Sequence, residues 1–211
     1  MKRAIALGTF DGVHKGHRAV LSLPEEMQKT AVVFALPPKA VLSGKPRSIM
    51  TAEDKCAALK KIGIDEIFTL DFEKVKDMSA EDFLCFLKDE FSPNLISCGF
   101  NYHFGKNAVG DVEMLREFCD KKGIEFNCHG AVSENGEPVS STRIREYLKN
   151  GEIEKANKLL TFPFSFTAEV ISGDRRGRTI GFPTVNQKYP IELIPLKFGV
   201  YKSKMLIDGK E

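Results

Sequence analysis

Ala4-Ile5-Ala6-Leu7-Gly8-Thr9-Phe10-Asp11-Gly12-Val13-His14-Lys15-Gly16-His17 is the stretch whose reading decides the fold. Its first four residues are apolar and read as a short strand. Arg18 to Leu23 has helical potential, so the local order is strand, glycine-rich turn, helix. Gly8, Gly12 and Gly16 let the backbone approach a ligand closely or turn sharply. The first amides of the following helix point back into the turn, an arrangement suited to an anion and above all to phosphate. His14 and His17 are three apart and face one side of a helix start. Two imidazoles beside exposed amides suit a polyphosphate whose charge moves between oxygens during reaction.

Plainer readings compete. A glycine-rich turn after a strand is weak by itself, and a lone histidine is more often structural. Here two of the chain's four histidines lie within one turn of the loop. Zinc is a rival use of histidine. The nearest cysteine is Cys56, and neither His-Glu-x-x-His nor Cys-x-x-Cys spacing occurs. No Gly-Lys-Ser/Thr follows at P-loop spacing, and the dinucleotide fingerprint is absent.

The chain has 211 residues, room for one large domain or a domain and a half. Hydrophobic residues at 42% and charged residues at 28% are ordinary for a globular protein. A formal charge of +2 gives no electrostatic case for nucleic acid or a membrane surface. Five cysteines without paired spacing fit a reducing cytoplasm. The apolar run after Met1-Lys2-Arg3 is too short for a signal peptide, and no stretch approaches the ~20 apolar residues of a membrane helix.

Pro24 keeps the first helix short. Thr30 to Leu36 is a continuous apolar run, the mark of a strand buried on both faces, and Pro37-Pro38 ends it. Lys39 to Ile49 is a loop. Thr51 caps a helix from Ala52 to Ile62 that Gly63 ends. Glu66 to Leu70 is a strand. Ser79 opens a helix with Phe83, Leu84, Phe86 and Leu87 on its apolar side. Asn94 to Cys98 is a strand, Val112 to Lys122 a helix, and Ile124 to His129 a strand near the sheet edge. Asn135-Gly136 is a strong turn signal. The alternation predicts a parallel sheet with right-handed crossovers and helices on both faces.

A second candidate phosphate segment is Val139-Ser140-Ser141-Thr142-Arg143-Ile144-Arg145. Hydroxyls at a helix start add donors to free amides, and Arg145 lies one turn on. A guanidinium bridges two phosphate oxygens. Alone, this segment is equally an ordinary N-cap with a solvent-facing Arg. Helices from Thr142 to Asn150 and from Glu152 to Leu160 follow.

Gly-x-Phe-Asp-Gly-x-His-x-Gly-His resembles the signature of the His-x-Gly-His nucleotidyltransferases, and within them the bacterial bifunctional riboflavin kinase/FMN adenylyltransferase (FAD synthase) family. Ser140 to Arg145 resembles the second half of that signature, Ser-Ser/Thr-x-Ile-Arg. Gly99-Phe100-Asn101-Tyr102-His103-Phe104-Gly105 resembles the family's Gly-x-Asp/Asn-x-x-Phe-Gly segment. Where the family has Phe-x-Pro-His-Pro, the chain has Phe34-Ala35-Leu36-Pro37-Pro38, so the His and the first Pro are unmatched.

Phe162-Pro163-Phe164 marks a change of composition. Ser165 to Ile171 alternates with the period of a half-buried strand. Gly173 to Asn186 contains a glycine-rich loop and Pro183-Thr184-Val185-Asn186, similar to the opening of the riboflavin kinase barrel. Phe198 to Ile207 reads as a further strand, and Asp208-Gly209 as a turn. Residues 162–211 are too few for the family's barrel and lack its downstream Glu, so the expectation is no riboflavin kinase activity from this stretch. It is then a fragment, or it packs on the first domain.

The resemblance therefore implies a Rossmann-like nucleotidyltransferase domain over 1–161 and the incomplete start of an antiparallel β-barrel over 162–211. The implied reaction is AMP transfer from ATP to FMN, giving FAD and pyrophosphate in the cytoplasm. His14, His17 and Arg145 are the implied catalytic residues. Gly8, Thr9, Phe10, Gly16, Asn101, Ser141 and Thr142 would bind ATP and flavin. Magnesium would bridge phosphates, with Thr184 and Asn186 as kinase-half ligands. ATP and FMN are the implied partners, with riboflavin as a further candidate and with no nucleic acid or membrane; the resemblance implies no particular oligomeric state. Two alternatives stay open: a nucleotidyltransferase for another phosphate acceptor, and a non-catalytic flavin- or nucleotide-binding protein.

Overall fold

The computed structural model describes residues 1–38, 41, 44, 48–173, 181 and 184–207. Most of the loop read at 39–49, most of the glycine-rich stretch at 173–183, and the turn at 208–209 lie outside the described residues.

The centre is a five-stranded parallel sheet. Its strands are β1 (Arg3–Leu7), β2 (Gln28–Phe34), β3 (Glu66–Leu70), β4 (Leu95–Gly99) and β5 (Glu125–His129), in spatial order β3-β2-β1-β4-β5. β1 is central, pairing with β2 from Arg3 opposite Gln28 and with β4 from Ala4 opposite Leu95. Every neighbour pair is parallel, as the strand–helix alternation requires. β5 is one of the two edge strands, as its mixed polarity predicts. β2 begins and ends two residues earlier than its apolar run suggests, because its ladder with β3 closes at Phe34 opposite Leu70.

Side-chain alternation divides the core between the two faces. Ile5, Leu7, Val32, Ile96 and Cys98 pack on one face with helices α4 (Ala80–Phe91) and α5 (Val112–Lys122). Ala4, Ala6, Ala31, Val33 and Leu95 pack on the other with α1 (Lys15–Val20) and α2 (Ala52–Lys61). α2, α4 and α5 each start on a side chain that accepts an amide three residues on: Thr51 from Asp54, Ser79 from Asp82 and Asp111 from Met114. α3 (Phe72–Val75) is a single turn after β3.

A third cluster joins α6 (Ser141–Asn150) and α7 (Ile153–Leu159) through Ile144, Leu148, Ala156 and Leu159. Before α6, β6 (Ser133–Glu134) and β7 (Glu137–Pro138) form a hairpin. Its turn, Asn135-Gly136, has both φ angles positive at 56° and 80°, the conformation that this dipeptide favours.

The last part departs from expectation. Only Val170–Ile171 (β8) of the predicted 165–171 strand forms, pairing antiparallel with Asn186–Gln187 (β9). Residues 198–207 make no regular strand, and Phe198 and Val200 are fully exposed. Alternating polarity makes a strand only where a neighbour supplies the ladder, and among the described residues none does. The segment is nevertheless docked. Ser48 bridges Leu193 in parallel, Ile194 N–H donates to Ser48 O at 2.8 Å, and Leu193 and Ile194 are both buried. These residues therefore pack against Ser48, Ile49 and the α6–α7 cluster. Among the described residues no helix is long and apolar enough to cross a membrane.

Candidate active site

The strand order reverses beside β1, between β2 on one side and β4 on the other. In open α/β sheets the crevice beyond the strand ends at such a point is where ligands bind. The Gly8–His17 loop leaves β1 at this place. Leu7 lies opposite Cys98, so Gly8 and Gly99 leave the sheet side by side.

The loop's own side chains contribute to its shape. Phe10 is buried with φ of 47°, and Val13 is buried with φ of 39°, both left-handed. The Phe10 ring lies over Gly8, where a Cβ would meet ring carbons at 2.9 Å. Gly12 has φ of 86°, and a Cβ there would press on Ile49 and Leu160. Those two glycines are therefore required by shape.

His14 is the N-cap of α1. His17 N–H donates to His14 Nδ1 at 3.2 Å, and His14 N–H donates to His17 Nδ1 at 3.4 Å. The rings stack with centroids 3.5 Å apart, and Phe10 meets His17 edge-on at 5.3 Å. Each Nδ1 accepts an amide proton, so each neutral ring carries its proton on Nε2 and presents a donor there. Both rings stay neutral near pH 7. Burial, reinforced by the Arg145 cation, lowers His14 to about 4. Burial, with His14, Lys55 and Arg145 adding, holds His17 well below the usual imidazole range.

Asp11 joins this loop to the second motif. Its Oδ1 accepts the Ile49 amide at 2.8 Å and the Met50 amide at 3.4 Å. Its Oδ2 accepts Arg145 Nη2 at 2.6 Å, and its carbonyl accepts Ser141 Oγ at 2.9 Å. Burial pushes the Asp11 carboxyl up, opposed by Arg145, the Ile49 amide and Lys55. Ser140 caps α6 by accepting the Arg143 amide, so the helix starts one residue before the expected Thr142. Gly16 lies against the Val139 carbonyl, 3.6 Å from where its Cβ would be. Thr161 N–H donates to Val13 O at 3.3 Å, tying in the residues after α7.

The structure thus brings together Gly8, Thr9, Phe10, His14, Gly16, His17, Ser141 and Arg145. Thr142 is exposed on the first turn of α6. Asn101 is exposed two residues beyond Gly99, at the same sheet edge, where Tyr102 N–H closes a turn onto Gly99 O at 3.0 Å. Thr184 and Asn186 lie apart, on and beside β9, both exposed; the Asn186 amide occupies the space that a side chain at Gly173 would need. Two surface clefts, one beside Arg143 and Lys158 and one beside Lys88 and Lys122, lie away from the histidines.

Sequence reasoning missed two residues here. Asp11 lies inside the first motif, but its partners are 38 to 134 positions away, beyond any local pattern. Lys55 reads from the sequence only as a helix residue. Its side chain is buried, and Nζ donates to Thr9 O at 3.2 Å, Phe34 O at 2.5 Å and Ala35 O at 3.1 Å. The available signal was its place three and four residues before Ala58 and Leu59, on the buried stripe of α2.

The family model for FAD synthetase matches residues 1–143, which hold β1 to β5, the histidine pair and the start of α6. The chain belongs to the FAD synthetase family. A second model, riboflavin kinase, matches residues 160–211 of this FAD synthetase family member. It is similar to the bifunctional riboflavin kinase/FMN adenylyltransferase of Listeria monocytogenes, 31% identical over 220 residues that cover 100% of this chain and 70% of the relative. The protein of the same name from Bacillus subtilis is 33% identical over 223 residues, covering 99% and 69%. The crystal structure of a macrolide-efflux protein from Streptococcus pneumoniae superposes with a TM-score of 0.82 at 29% identity, covering 95% of this chain and 68% of that one.

Proposed function

We propose that this FAD synthetase family member is an FMN adenylyltransferase, transferring AMP from ATP to FMN to give FAD and pyrophosphate. One observation carries the reading beyond family membership. The two candidate phosphate-binding segments, far apart in the chain, meet on Asp11 at the carboxyl edge of the sheet, through Ser141 at 2.9 Å and Arg145 at 2.6 Å.

In this reading an FMN phosphate oxygen attacks the α-phosphorus of ATP in line. The new P–O bond forms as the bond to the β-phosphate bridging oxygen breaks, and pyrophosphate leaves. No covalent enzyme intermediate is needed; the protein orients and stabilises charge. His14 and His17 donate from Nε2–H to phosphoryl oxygens as charge grows on them. Arg145, Ser141 and Thr142 hold the β- and γ-phosphates. Gly8, Thr9, Phe10 and Gly16 shape the nucleotide side, and Asn101 stands at the neighbouring strand end for the flavin or adenosine part.

Magnesium fits the first domain poorly as a protein-held ion. Among the described residues no group of three or more His, Cys, Asp or Glu could hold a metal. The Asp11 carboxylate is already taken by Arg145 and two amides. Thr184 and Asn186 offer neutral oxygens, suited to a magnesium ion already carrying phosphate, and we assign them to the part we propose as a riboflavin kinase-like domain, residues 162–211. That domain would supply a barrel opening, with β8 and β9 as its antiparallel pair.

The test is to incubate the protein with ATP and magnesium, once with FMN and once with riboflavin, and separate the flavins by chromatography. FAD from FMN is the expected result. No FAD, with tight ATP or flavin binding retained, would overturn the reading in favour of a binding protein.

A further inference from the structure

Lys55 is a buried cation that the reaction above does not use. It stands in α2, 1% exposed, where an ammonium is costly unless all its protons find acceptors. They do. Three donors meet three backbone carbonyls, Thr9, Phe34 and Ala35, at 3.2, 2.5 and 3.1 Å. Thr9 belongs to the loop after β1, and Phe34 and Ala35 lie at the end of β2. One side chain thus clamps two adjacent loops at the carboxyl edge of the sheet.

The Thr9 carbonyl is the consequential partner. It belongs to the peptide that enters Phe10, whose φ of 47° is a conformation that a bulky residue holds only when its surroundings enforce it. Phe10 is also the wall of His17, edge-on at 5.3 Å. The linkage runs from Lys55 Nζ to the Thr9 carbonyl, to the left-handed Phe10, to the His17 ring.

Resting on the proposed adenylyl transfer, we infer that Lys55 is a positioning residue for that reaction, holding the loop after β1 so that Phe10 fixes the orientation of His17. Its charge acts in the same sense. The groups facing His17 are His14 from α1, Arg145 from α6 and Lys55 from α2, all of which disfavour a proton on its ring; Asp11, beside them, takes up part of the Arg145 and Lys55 charge.

A group that orients without touching substrate leaves a distinctive trace. Substrate still binds, but the transition state is misaligned, and a displacement of about 1 Å costs on the order of 10²-fold in rate. The experiment compares Lys55→Met, similar in length but without charge or donors, with Lys55→Arg, which keeps the charge but presents a planar fork to carbonyls arranged around one ammonium. ATP affinity is measured by calorimetry, FAD turnover from ATP and FMN, and the His17 ring by its Cε1–H resonance. For Lys55→Met the expected result is ATP affinity within about threefold of wild type, turnover lower by on the order of 10²-fold, and a displaced His17 resonance. Lys55→Arg is expected to recover only part of the turnover.

Wild-type turnover in folded Lys55→Met, a loss matched by equal loss of ATP affinity, or an unmoved His17 resonance would each overturn the proposal. Should Lys55→Met not fold, Lys55→Arg is judged by the same three readouts. If the wild type makes no FAD, the proposed reaction falls, while the His17 resonance in the variants still decides whether Lys55 positions that ring.

Discussion

At His14 and His17, the two side chains cap each other's amides through Nδ1, and burial keeps both rings uncharged. That has a consequence for stability. The unfolded chain takes up a proton at each imidazole near pH 6.5, whereas native His14 resists protonation down to about 4. The native advantage is therefore complete above 6.5 and drains away as pH falls towards 4. Asp11, pushed up by burial, contributes with the opposite sign, so wild-type stability alone is not decisive. His14→Asn removes the titration while keeping a side-chain acceptor for the His17 amide. Its melting temperature should gain on the wild type between pH 7 and pH 4.5; a gap constant with pH would contradict the buried neutral ring. The histidine pair and Arg145 were legible because short spacings carried them. Asp11 and Lys55 acquired their roles only in three dimensions, since their partners lie beyond the reach of any local pattern. Thr142 was legible from the same motif, and its side chain stands exposed on the first turn of α6.

At the scale of elements, the two arginines of α6 do different work, although they stand two residues apart. Arg145 turns inward to Asp11. Arg143 turns to the β6–β7 hairpin, where Nη1 donates to the carbonyls of Glu134, Glu137 and Pro138 at 3.4, 3.2 and 3.4 Å. It also pairs with the Glu137 carboxylate at 2.8 Å, while Nε donates to the Tyr147 hydroxyl at 3.0 Å. Lys15 of α1 reaches the same hairpin through Glu134 at 2.9 Å. Removing hydrogen bonds to a charged group costs about 1.5–3 kcal/mol, enough to open the hairpin more than tenfold as often. Arg143→Met should therefore speed hydrogen exchange at the Val139 amide, which bonds to Val132 O at 2.8 Å. It should lower FAD formation less than Arg145→Met does. Unchanged exchange would show that the hairpin holds without Arg143. Strands, helices and the Asn135-Gly136 turn were readable because period, caps and turn chemistry are local. The predicted strand at 198–207 failed because a strand also needs a neighbour.

For the whole molecule, the question is whether residues beyond 161 bear on the site. Ile194 enters the cluster of Ile49, Val139, Ile144 and Leu160, and its amide donates to Ser48. Ile49, next in sequence, donates its own amide to Asp11, which holds Ser141 and Arg145. The later segment is therefore packed one residue away from the group that joins the two motifs. Truncating a buried Ile to Ala costs about 2–5 kcal/mol, or about 5–15 °C of melting temperature for a chain of this size. Ile194→Ala should show that loss in a single transition, together with reduced FAD turnover, because a cavity beneath Ile49 loosens the hold on Asp11. Ile191→Ala, at a side chain 80% exposed, is the control and should change neither. If Ile194→Ala left both melting and turnover as in wild type, the later segment would be a passenger on the sheet domain, and the Asp11 junction would stand on residues 1–161 alone.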